Sequence, residues 1–169
     1  MFRSALLGAL ALFAVAAPPT AAMDASMALP GDPAFSNLIS SEQALVDLTN
    51  QDRAANGLPT LDLDLSMLPV ARERAEQQLG SQALSHYDGS GQLIFAQLLT
   101  QANVTYTLAG ENLARASVDD ANVTQRVEQA LMQSPTHRKN ILEPTFKRVA
   151  IGAATDNTGE IAFAEVYRD

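Results

Sequence analysis

The chain has 169 residues, 47% of them hydrophobic, and carries a formal net charge of −8 with no cysteine. That length and apolar content suit one domain with its own core, held together without disulfides or thiolate metal sites. The acidic balance, with a pI of about 4.6, works against nucleic-acid and anionic-membrane partners, whose phosphates it would repel.

The first residues read "MFRSALLGALALFAVAAPPTAA". A single Arg3 precedes an apolar run from Ala5 to Ala17, followed by Pro18-Pro19 and small residues. This order predicts a secretory signal peptide over 1–22, too short to be a comfortable membrane span. It places the protein outside the cytoplasm, secreted or in the cell envelope. Residues 23–39 contain prolines without periodicity and predict a linker or arm, so the domain runs over 40–169.

Ser40 with Gln43, and Glu42 in the first turn, resembles a capping box. Ala44, Leu45, Leu48 and Ala55 then recur at helical spacing until Gly57 stops the helix. A second helix starts near Ser66, tolerates Pro69 in its first turn and buries Leu68, Ala71, Ala75 and Leu79. A third covers 92–101 with Ile94, Phe95, Leu98 and Leu99 inward. "TYTLAGENLA" predicts a strand. A fourth helix follows Ser117, with Asp119 and Asp120 at the positive end of its dipole and Val123, Val127, Ala130 and Leu131 buried. "SPTHRKNIL" is a short helix with Ser134 as N-cap and Pro135 at the first helical position. Val149, Ile151 and Ala153 alternate with period two, "TDNTGE" is a hairpin turn, and "IAFAEVY" is a return strand apolar on both faces. Helices first and an antiparallel hairpin last predict helices packed on a small sheet rather than a repeated βαβ pattern.

The sequence contains two histidines, His86 and His137. On spacing alone His137 reads first as a residue that fixes its helix by bonding a backbone carbonyl, and second as a ligand or base. Glu111 lies in a small, apolar strand, where a buried carboxylate requires partners; Asn112 points the other way. Glu165 raises the same question, on one face with Phe163 and Tyr167. The sequence has no G-x-S-x-G elbow, no H-E-x-x-H and no phosphate or dinucleotide loop.

Four blocks in order carry a resemblance: "LVDLTNQDRAANGLPTLDLDLSMLPVARERAEQQ", "LSHYDGSG", "AGENLA" and "SPTHRKNILEPTFKRVAIGAA" with its closing hairpin. Together they resemble the CAP/SCP-like superfamily of cysteine-rich secretory, antigen 5 and pathogenesis-related proteins, most closely its bacterial branch. The resemblance implies an α+β fold, a three-layer α-β-α sandwich with a small, mostly antiparallel sheet between helices. It implies that His86, Glu111 and His137 share a cleft, and that a divalent metal such as zinc, if held, would use His86 and His137. The chain departs from the family at Leu131, where a tryptophan is usual, and at Ser134, near which eukaryotic relatives place a second glutamate. Three functions follow as expectations. The leading one is a monomeric, non-catalytic binding module for a small apolar, lipid-like or peptide ligand. The others are a metal-assisted peptide or ester hydrolase with Glu111 as base, and a structural envelope protein.

Overall fold

A computed structural model describes residues 39–118 and 120–169. The leader expected over 1–22 and all but the last residue of the expected linker lie outside the described residues, as does Asp119. In chain order the elements are α1 (Ser40–Ala55), β1 (Asp62–Leu63), α2 (Leu68–Gln78), α3 (Ile94–Gln101), β2 (Ala109–Ser117), α4 (Val123–Gln133), α5 (Pro135–Ile141), β3 (Arg148–Thr155) and β4 (Glu160–Arg168). The strands form one sheet in the order β1-β3-β4-β2. β3 pairs antiparallel with β4, and β4 with β2, while β1 adds a two-residue parallel edge to β3.

The alternation of side chains along each strand sorts the core into two faces. On one, Ala150 and Val166 meet Met67, just before α2, and Val70 and Ala71 of its first turn, with Phe95 and Leu99 of α3 in the same cluster. On the other, Ile151, Phe163 and Tyr167 meet Leu45 of α1, Leu131 of α4 and Ile141 of α5. The result is the α+β, three-layer α-β-α sandwich: α2 and α3 on one side, the sheet, then α1, α4 and α5 on the other. None of the described helices is long and apolar enough to cross a membrane.

Three local expectations are corrected. Ser40 is already helical, and the N-terminal backbone bond comes from Ile39 N–H to Glu42 Oε2 (3.1 Å) rather than from a Ser40–Gln43 pair. Glu42 is wholly buried because it also takes Arg72 Nε (2.8 Å) and the Ala153 amide of β3 (3.1 Å). The β2 strand starts at Ala109, four residues later than "TYTLAGENLA" suggests, and α4 starts at Val123 with Asn122 at its cap position, so Asp120 precedes the helix. The hairpin turn is where the sequence puts it. Gly159 has φ 82°, and Asp156 Oδ1 accepts the Thr158 and Glu160 amides at 2.9 and 3.0 Å.

Candidate functional site

The β2 strand is the last in the sheet, and its residues Glu111 and Asn112 send their side chains to opposite faces. Glu111 faces α2. Its Oε1 accepts Arg74 Nε at 2.7 Å, and its Oε2 takes Arg74 Nη2 at 3.3 Å and His86 Nδ1 at 2.7 Å. Arg74 and Glu111 are 0% exposed and His86 is 3% exposed. The guanidinium is fixed further by the Ser85 carbonyl (2.6 Å) and by Gln77 Oε1. A carboxylate held by arginine can only accept, so His86 Nδ1 carries the proton towards it. In the neutral ring Nε2 is then left with its lone pair, and this buried atom has no hydrogen-bond partner among the described residues.

Asn112 faces the other layer. Its Nδ2 donates to the His137 carbonyl (3.2 Å) and to Glu165 Oε2 (2.9 Å), while its Oδ1 accepts from Asn140 (3.0 Å). Asn140 also donates to the Glu111 carbonyl at 3.1 Å, so α5 covers backbone that an end strand would otherwise expose. Thus His86 and His137 flank neighbouring residues of one strand from opposite layers. The structure joins His86 to Glu111 directly, and it brings His137 to the same strand through Asn112. His137 is buried, and its Nδ1 shares a 2.7 Å hydrogen bond with the Ser134 hydroxyl. This corrects one expectation: Ser134 makes no side-chain cap to the helix, and its hydroxyl serves the His137 ring instead.

Behind Asn112 lies a buried acidic cluster. Glu165 accepts hydrogen bonds from Asn112, from the Tyr167 hydroxyl and, at 3.5 Å, from Thr49, whose hydroxyl also lies 3.2 Å from Glu128 Oε2. Burial raises the Glu165 pKa to about 7, against the pull of these bonds. Glu128 is pushed up to about 10, first by burial and then by the charges of Glu165 and Asp52. Two facing carboxyl groups in low dielectric retain at least one proton between them at neutral pH.

These contacts decide what the site can do. Among the described residues no group of three or more His, Asp or Glu side chains is placed to hold a metal ion. Both oxygens of Glu111 already accept from Arg74 and His86, so Glu111 is a poor third ligand, and a divalent metal would have only the imidazoles of His86 and His137, fewer than zinc's usual three or four protein ligands. Three of the carboxylate's roughly four lone-pair sites are filled by Arg74 and His86, which leaves little room for Glu111 to meet a water. It suits Glu111 to orient His86 instead, as carboxylates behind histidines do. Zinc titration by calorimetry is expected to show no stoichiometric micromolar site, with similar heats for wild type, His86→Ala and His137→Ala. A one-to-one site lost in both variants would show that the two histidines do converge on a metal.

Sequence reasoning missed Arg74 and Glu128. Each sits within the buried stripe of its helix: Arg74 between Ala71, Ala75 and Gln78, and Glu128 with Thr124, Val127 and Leu131. A charged residue at i+3 or i+4 among apolar positions was the available signal.

The family model for the cysteine-rich secretory protein family (CAP) matches residues 46–167. An α-β-α sandwich with these four blocks in order defines a CAP domain. The chain belongs to that family. It is 29% identical over 117 residues to YkwD of Bacillus subtilis (strain 168), an alignment covering 69% of this chain and 44% of that protein. The chain therefore spans less than half the length of that curated relative. Among solved structures it resembles an outer surface protein from Borrelia burgdorferi, with TM-score 0.65, 19% identity, and coverage of 78% of this chain and 96% of that one. It also resembles an extracellular SCP-domain protein from Bacillus anthracis str. Ames, with TM-score 0.64, 24% identity, and coverage of 85% of this chain and 45% of that one.

Proposed function

We propose that this CAP domain is an extracytoplasmic binding module whose cleft is bordered by His86, Glu111 and His137 at the edge of β2. It takes a small apolar, lipid-like or peptide ligand that offers a hydrogen-bond donor to His86 Nε2. The observation that carries the reading is that nitrogen: buried, without a partner, and aimed by a ring whose other nitrogen is fixed on Glu111. A buried polar atom left without a partner costs about 1–3 kcal/mol, so an arrangement that rigidly maintains one is readily explained by a ligand that supplies the missing bond. The leader-like order of residues 1–22 and the outer-surface and extracellular relatives support the location.

The test uses 15N-histidine-labelled protein titrated with decan-1-ol, as a lipid-like probe, and with trialanine, as a peptide probe. At least one is expected to shift the His86 Nε2 resonance saturably. His86→Asn, which preserves a donor to Glu111, should weaken that probe by ~10-fold, the loss of one hydrogen bond. If neither probe moves His86 and His86→Asn changes only the melting temperature, the cluster is structural and the binding reading fails.

A further inference from the structure

A cavity of ≈ 370 Å³ lies on the layer opposite His86, between α1 and α4 and bordered by Arg138 of α5. Its walls combine Leu48 and Met132 with Asp52, Glu128 and Gln129. Glu128 is only 3% exposed, yet its Oε1 has no hydrogen-bond donor among the described residues. Its neighbour on that side is the Asp52 carboxyl, with which it can bond only through a shared proton. No ion pair is formed by Asp52 or Glu128 among the described residues. Arg138 instead lies 3.4 Å from the Asn56 side-chain oxygen.

We propose that this cavity binds a small organic cation, a primary ammonium group on a short apolar chain. The ammonium sits between Asp52 and Glu128 Oε1, and the chain lies along Leu48 and Met132. Three N–H donors match the two carboxyl groups and the Gln129 side-chain carbonyl. The protein's net charge of −8 favours approach of a cation. A divalent metal is a poorer match, since no cluster of three His, Asp or Glu ligands exists among the described residues and part of the wall is apolar. This inference does not depend on the reading of His86, which lies beyond the sheet.

The site carries its own pH signature. Glu128 faces Asp52 and Thr49 of α1, Glu165 and Tyr167 of β4, and, across the cavity, Arg138 of α5. Burial with Glu165 and Asp52 nearby keeps Glu128 protonated at neutral pH. An entering ammonium replaces that proton, so binding releases one and strengthens as pH rises, by up to ~10-fold per unit. Alkylammonium itself stays charged over this range, with a pKa near that of lysine at about 10.4.

The experiment is calorimetric titration of the full chain with n-butylammonium chloride and, separately, with butan-1-ol, at pH 6 and pH 9. Saturable binding of the ammonium is expected, at least tenfold tighter at pH 9, with butan-1-ol much weaker. Asp52→Asn should cost tenfold or more, and Glu128→Gln should flatten the pH dependence. Equal binding of butan-1-ol, or no saturable ammonium binding by the wild type at pH 9, would overturn the proposal even if both variants failed to fold. So would calcium displacing n-butylammonium at micromolar concentration.

Discussion

Replacing Arg74 with alanine is expected to remove about 3–5 kcal/mol of stability, the usual cost of stripping one partner from a buried ion pair. The side chain is 0% exposed and its guanidinium is the positive group against Glu111, which is equally buried. Without it the carboxylate keeps only His86, and the Ser85 carbonyl and Gln77 amide oxygen lose their donor. The pair need not be net stabilising as a pair, because each ion was desolvated to form it. The double variant Arg74→Met with Glu111→Leu, which removes both charges and keeps the volume, should therefore recover much of the loss. Urea unfolding of the single and double variants measures both quantities. A loss below about 1 kcal/mol for Arg74→Ala would mean that water reaches the site and that Glu111 is not confined as its contacts require.

How far the sequence revealed this site depends on the kind of signal each residue left. Period-two reasoning puts Glu111 and Asn112 on opposite faces, and they are: one bonds Arg74 and His86, the other Glu165 and the His137 carbonyl. The helices were legible from apolar spacing, since burial of one stripe is what stabilises them. β1 was not, because two residues, Asp62 and Leu63, give no period to read; their pairing to Arg148 and Val149 is a tertiary fact. Arg74 and Glu128 went unread because a charged residue in a buried stripe violates the pattern unless its partner is known, and those partners lie 37 positions away at Glu111 and 79 away at Thr49. Ser134 had the residue type and position of an N-cap, yet its hydroxyl serves His137. The family resemblance grouped His86, Glu111 and His137, but only the fold shows that β2 stands between the layers supplying the two histidines.

Gly152→Ala should be the most disruptive glycine-to-alanine change among the described residues. A Cβ at this position of β3 would fall 2.2 Å from the Ala71 carbonyl carbon and 2.2 Å from the Arg72 amide nitrogen. These are backbone atoms of α2, so no rotamer change can relieve the overlap; the helix must lift from the sheet. Overpacking of a well-filled core typically costs about 1–3 kcal/mol and more where backbone must move, and about 3 kcal/mol or more is expected here. The displacement reaches the site, because Arg74 is three residues along α2 from Ala71 and holds Glu111, which in turn holds His86. Gly159→Ala provides the contrast. There the methyl meets nothing closer than Val118 at 3.6 Å, and the penalty comes from φ 82° at the hairpin turn, about 1 kcal/mol. Urea unfolding should rank Gly152→Ala well below Gly159→Ala, and the His86 ring resonances should move only in the former. Native stability in Gly152→Ala, with His86 unmoved, would show that α2 does not rest on β3 at this distance and that the strand leaves room for a side chain. The close approach would then be dispensable for the site. If the variant behaves as expected, one glycine sets the depth at which α2 lies on the sheet, and with it the position from which Arg74 reaches Glu111.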